Sequence, residues 1–167
     1  MFRLLSDVKI DSVSCFETFV AIDGRKGGFS QIWVFDPASP VTSRKQLEFA
    51  EKAHSVGISS NMEYGAKELR LVFQSLTTPK CTFDYVYSTG KMELKKQMPV
   101  PNYDSKLYAS ERVVATAADG VQVPISLVWR KDRQPKDKST PRTMHLYGYG
   151  SYEICIDPEF SVGRLPL

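Results

Sequence analysis

Three residue pairs in the first hundred positions stand 52 apart: Val20 and Val72, Trp33 and Tyr85, Phe35 and Tyr87. Each pair lies on a short apolar run, and a turn signal falls at the same place between the runs. A period of about 50 residues built of four strands is the spacing of one blade of a β-propeller. Two unrelated β segments could match in this way by chance, and the pairs alone leave that alternative open. No convincing long amphipathic helix is visible anywhere in the sequence.

The runs themselves are of strand type. Phe19-Val20-Ala21-Ile22 is short and apolar, and Asp23-Gly24-Arg25-Lys26-Gly27-Gly28 reads as a turn with glycines free to take positive φ. Gln31-Ile32-Trp33-Val34-Phe35 is a second strand, closed by Asp36-Pro37. A weaker run covers 53–59. Leu69-Arg70-Leu71-Val72-Phe73-Gln74 alternates in type, as a strand with one buried face does. Cys81-Thr82-Phe83-Asp84-Tyr85-Val86-Tyr87 turns at Ser88-Thr89-Gly90 and returns over 91–96, with Met92 and Leu94 on one face.

Met98-Pro99-Val100-Pro101-Asn102-Tyr103-Asp104 interrupts this pattern. Two prolines around one residue cannot sit inside a central strand or a helix, and they stiffen a connector. The expected division is therefore residues 1–98, a linker over 99–104, and a second unit over 105–167. In that unit 107–116 and 121–129 form a hairpin about Asp119-Gly120, a strong short-range signal. Residues 130–141 read as a charged, solvated loop, and 142–149 as a further strand. That strand ends in Tyr147-Gly148-Tyr149-Gly150-Ser151-Tyr152, where glycines two apart let the backbone turn tightly and present phenols at a sheet rim.

Composition closes several function classes. A net charge of +3, with both signs interspersed, gives little electrostatic support for nucleic-acid binding. No apolar run approaches the roughly 18 residues needed to cross a bilayer, and residues 1–7 lack a secretory apolar region. Cys15, Cys81 and Cys155 are odd in number and without metal-ligand spacing, so free thiols and a cytoplasmic setting are expected. With only His54 and His145 present, a histidine-rich metal site is excluded. No metal or organic cofactor is expected.

The Tyr147–Tyr152 motif, followed by Asp157-Pro158, Phe160-Ser161 and Arg164-Leu165, resembles the start of the peptidase domain in the prolyl oligopeptidase family of serine peptidases. Ser75-Leu76-Thr77-Thr78-Pro79, Ser110-Glu111-Arg112 and Asp119-Gly120-Val121-Gln122-Val123-Pro124 precede it in the family's order. The oligopeptidase B branch is the nearer, because Gly150-Ser151-Tyr152 stands where the prolyl-specific branch usually has Gly-Gly-Phe. The resemblance implies a mainly β chain: about the last two blades of a propeller, then the first strands of an α/β-hydrolase domain. It implies short peptides as substrates, cleavage after Lys or Arg, and a propeller that keeps large folded proteins out. It also implies that Tyr149 donates its phenolic hydrogen to the oxyanion and that Tyr152 lines the substrate pocket. Such a donor is worth roughly 3–4 kcal/mol when preorganised.

The rest of a peptidase's chemistry is missing from the sequence. A serine peptidase needs a nucleophile, a base and a group orienting the base. Hydrolase folds place the serine in a Gly-x-Ser-x-Gly elbow, with the acid and then the histidine later in the chain. Gly28-Phe29-Ser30-Gln31-Ile32 and Gly150-Ser151-Tyr152-Glu153-Ile154 both lack the second glycine, and no histidine follows His145. The 167 residues are therefore expected to be inactive alone and, with an open strand edge, prone to self-association. A full-length form is expected to be monomeric or weakly oligomeric. The alternative is a non-catalytic β-rich module that binds peptides or proteins along an exposed edge.

Overall fold

A computed structural model describes residues 8–134, 137, 139–141 and 143–165. Residues 1–7 and Arg142, the first position of the strand expected over 142–149, lie outside the described residues. Two four-stranded antiparallel sheets and a two-stranded hairpin make up the described fold. The first sheet runs in chain order through β1 (Val8–Cys15), β2 (Val20–Lys26), β3 (Phe29–Phe35) and β4 (Lys45–Gln46). The second repeats that order with β5 (His54–Ile58), β6 (Glu68–Ser75), β7 (Cys81–Val86) and β8 (Lys91–Gln97). Each is a four-stranded meander, the form of one propeller blade. The hairpin pairs β9 (Tyr108–Thr116) with β10 (Gln122–Arg130).

The two blades share one core. Ala21, Ile32, Val34 and Leu47, with Phe16 and Phe19, pack against Val56, Leu69, Leu71, Phe73 and Tyr85 of the second blade. In β6 the buried residues are Leu69, Leu71, Phe73 and Ser75, every second position, so the alternation read in the sequence is the face turned to the first blade. Phe19 stacks on Phe16 at 4.3 Å and on Tyr87 of the second blade at 4.7 Å between ring centroids. Two side chains also bridge the blades by hydrogen bonds. Ser30 Oγ accepts from the Val56 N–H at 2.9 Å, and Asp23 Oδ2 from the Ile58 N–H at 3.1 Å. They satisfy donors on the edge strand β5 that no neighbouring strand reaches.

The strand order repeats, but the 52-residue spacing does not. Phe35 pairs with Val20, whereas the partner of Val72 is Thr82 and not Tyr87. Trp33 joins Ile22 and Phe35 in a separate cluster on the far face of the first blade, while Tyr85 faces the shared core. The connections differ: Gly27 and Gly28 alone join β2 to β3, whereas residues 76–80 join β6 to β7. Because side chains alternate with period two, such a change of register puts equally spaced residues on opposite faces.

Two further expectations change. The turn foreseen over 23–28 is confined to Gly27 and Gly28, at φ of 59° and 78°, and β2 continues to Lys26. It continues because β1, a polar and mostly exposed strand with no clear pattern in the sequence, pairs with it across a bulge near Ile10 and Ser12. Of the strand expected over 142–149, the described residues 143–149 form none. Residues 143–150 are irregular, with Met144 and Leu146 largely exposed. An apolar run becomes a strand only where a second strand takes its backbone groups, and none among the described residues does.

The connector leaves β8 with Met98 N–H donating to Lys80 O at 2.8 Å, then takes Asn102 through φ 60°. Asparagine tolerates that left-handed conformation better than most residues. The hairpin rests on the β2–β3 turn: the Arg112 guanidinium lies over the Phe29 ring, and Pro124 reaches to Gly28.

Candidate functional site

Residues 143–165 form the site segment, and its shape is set by a few tethers. At its centre Ile154 N–H donates to Ser151 O at 3.1 Å, closing a turn whose middle residues, Tyr152 and Glu153, have φ of 55° and 57°. Both left-handed positions are taken by residues with a Cβ, where glycine or asparagine is preferred. Glu153 faces Lys9 of β1 at 3.8 Å. Past the turn, Asp157 takes both terminal nitrogens of Arg25 on β2, at 2.8 and 2.6 Å. Pro158 is buried, and Phe160 meets Tyr103 of the connector edge-on at 5.0 Å. Arg164 then lies 4.9 Å over the Tyr147 ring, a cation–π contact that ties the end of the segment back to its start.

Above these tethers the loop stands free. Tyr149 is 47 % and Tyr152 90 % exposed, and a side chain added at Gly148 or Gly150 would meet nothing. No hydrogen bond to either phenol is formed among the described residues. Ser151 and His145 are exposed, and Asp157 is engaged by Arg25. The structure thus places Tyr149 and Tyr152 on one exposed loop and assembles no serine–histidine–acid constellation among the described residues. Cys15, Cys81 and Cys155 are free thiols, as expected. No group of acidic, histidine or cysteine residues among the described ones is arranged to hold a metal ion, and no helix among them is long and apolar enough to cross a membrane.

The groups at the base of the loop were less legible. Asp157-Pro158 reads in sequence as a turn signal, yet Asp157 ties the segment to the first blade. Arg25 reads as part of a turn, and nothing in its surroundings signals a partner 132 positions away. Hydrogen bonding to Asp157 raises Arg25 further above its already high pKa, so it is charged at any ordinary pH. Arg112 is the reverse case: burial pushes it down to about 10, against the opposing field of Asp157, and its buried Nε has no hydrogen-bond partner among the described residues. Tyr103 donates its hydroxyl to Thr77 O at 2.6 Å and touches Tyr108 at 5.5 Å; burial pushes its phenol up to about 12.

Thr77 belongs to a second buried cluster, the Ser75-Leu76-Thr77-Thr78-Pro79 motif. Glu51 accepts the hydroxyls of Ser75 and Thr77 on Oε2, each at 2.6 Å, and that of Thr78 on Oε1. Ser75 Oγ accepts in turn from the Thr77 and Thr78 N–H groups at 3.0 and 2.7 Å. A carboxylate with three hydroxyl donors makes this corner of the second blade a rigid mount for the connector.

Comparison with known proteins agrees with this architecture. The profile of the prolyl oligopeptidase N-terminal β-propeller domain matches residues 5–98. Dipeptidyl aminopeptidase BI of Pseudoxanthomonas mexicana is 36% identical over 162 residues, which are 96% of this chain and 22% of that protein. Protease 2 of Moraxella lacunata is 33% identical over 153 residues, 91% of this chain and 21% of that protein. Among solved structures, oligopeptidase B from Trypanosoma brucei, closed and with covalently bound antipain, superimposes with a TM-score of 0.82 at 36% identity, over 96% of this chain and 23% of that one. The chain belongs to the prolyl oligopeptidase family. It spans about a fifth of the length of the curated relatives it matches.

Proposed function

We propose that this chain is the part of a serine oligopeptidase that joins the end of its propeller to the start of its peptidase domain and supplies the oxyanion donor Tyr149. The observation that carries the reading is the exposed Tyr149 phenol, on a loop held at its base by tethers to both the first blade and the connector. An oxyanion donor works by being fixed before charge develops, with its hydrogen turned to the space where the anion forms. Tyr152, exposed on the same loop, would line the substrate pocket. Residues 1–98 would be propeller, 99–104 linker and 105–167 peptidase domain. Short peptides cut after Lys or Arg are the proposed substrates of the whole enzyme, in a cytoplasmic setting consistent with the three free cysteines.

The test has two arms. The purified 167-residue chain should not turn over a fluorogenic Arg-terminated dipeptide, since its sequence contains no Gly-x-Ser-x-Gly elbow and no histidine beyond His145. In a longer protein that includes the nucleophile, Tyr149→Phe should lower kcat by about two to three orders of magnitude while KM changes little. An unchanged kcat would remove Tyr149 from the site. Tight binding of unmodified peptides by a well-folded 167-residue monomer would favour an interaction module instead.

A further inference from the structure

We infer that Arg25 and Tyr103 are positioning residues for the Tyr149 loop, acting through the segment that follows it. The loop makes few contacts of its own, so its place is set by what grips its base. Asp157, eight positions after Tyr149, is held by both terminal nitrogens of Arg25, a residue near the end of a strand in the first blade. Both members are only about a fifth exposed, at 21% and 17% of their side chains. Planar two-point pairing fixes direction as well as distance. Arg25 is itself braced by Asp11 on β1, 3.6 Å from Nε.

Three residues further on, Phe160 sits against Tyr103, whose hydroxyl is bonded to the Thr77 carbonyl in the second blade. That carbonyl belongs to the residue whose side chain is locked to Glu51. The base of the loop is therefore fixed to both blades through two independent contacts, one ionic and one aromatic. Two points of attachment define an orientation where one would leave a pivot. Movement of either blade against the hairpin would be transmitted to the tyrosine loop through these contacts. The consequence for catalysis rests on Tyr149 being the oxyanion donor; the grip on the loop does not.

Chymotrypsin nicking of the folded 167-residue chain tests the grip without any turnover by the chain itself. Cleavage after Tyr147, Tyr149 and Tyr152 is followed by mass spectrometry beside cleavage after Phe73 and Tyr85 in the shared core. When opening is fast, the rate tracks the population of the released loop. Arg25→Gln should raise loop nicking by about tenfold or more, given the strength of charge-assisted hydrogen bonds. Arg25→Lys, which keeps the charge without the planar fork, should fall between Arg25→Gln and the parent. Tyr103→Phe, which keeps the ring contacts and loses the hydroxyl, should give a smaller rise. The core sites should stay protected in all three. Loop nicking unchanged by Arg25→Gln would overturn the inference. So would an equal rise at the core sites, which would make Arg25 a contributor to overall stability only. Because no catalytic step is measured, a failure here is separate from a failure of the role assigned to Tyr149.

Discussion

Replacing Ser75 by alanine removes a single oxygen from a side chain with no exposed surface. The change in volume is small, so the loss is almost entirely one of hydrogen bonding. That oxygen accepts from the Thr77 and Thr78 N–H groups and donates to Glu51. Its removal leaves two main-chain donors without an acceptor and takes one of three hydroxyl donors from a carboxylate. An unsatisfied buried group costs about 1–3 kcal/mol. Because Thr78 is only partly buried, water can reach part of the damage. The expected total is about 2–4 kcal/mol. Ser30→Ala is the matched control, since Ser30 is also buried but serves one donor, the Val56 N–H. It should cost about 1–2 kcal/mol. Urea unfolding followed by the fluorescence of Trp33, buried in the first blade, with Trp129 replaced by phenylalanine in every protein compared, gives both values, provided the dependence on denaturant is unchanged. A cost for Ser75→Ala below about 1 kcal/mol, or no larger than that for Ser30→Ala, would refute the view that this corner is held by its hydrogen bonds.

Gly24 lies opposite the bulge in β1, and a Cβ there would fall inside the contact distance of the Lys9 carbonyl oxygen. Gly24→Ala should therefore release β1, seen as faster amide exchange over 8–15 with β6 and β7 still protected; retained protection in β1 would contradict the packing described. His54, half-buried between Phe49 and Phe73 with Nδ1 on the Glu51 carbonyl, is held by burial below the ordinary imidazole value of about 6.5. The unfolded chain thus takes up a proton before the folded one. The stability this brings is complete above that value and declines as the pH falls through it toward the lower folded pKa. The urea midpoint should drop between about pH 7 and about pH 5, and drop less in His54→Asn, which keeps a donor but does not titrate. Equal drops in the two proteins would show that other groups cause it.

Much of this molecule follows from local pattern. Alternation in 69–74 marks the buried face of β6, Asp119-Gly120 marks the tip of the β9–β10 hairpin, and the prolines at 99 and 101 mark the break after β8. These signals are legible because each depends on side-chain periodicity or φ preference within a few residues. The tyrosine loop, too, was marked by its own glycines and phenols. The strand foreseen over 142–149 was not found among the described residues, since apolar character alone cannot supply the neighbour that a strand needs.

What only the tertiary structure decided lies between segments distant in sequence. The odd register that turns Trp33 away from the core that Tyr85 faces depends on the length of two connections. The pairing of Arg25 with Asp157, the carboxylate of Glu51 among three hydroxyls, and the bond from Tyr103 to Thr77 join positions from 24 to 132 residues apart. Nothing in a local window encodes such partners, because a charge or a hydroxyl has the same propensity whether its partner is solvent or a distant residue. The sequence determined two β meanders, a hairpin and a glycine-spaced tyrosine loop. Packing the meanders face to face decided which residues hold that loop, because only the folded chain brings their side chains within bonding distance.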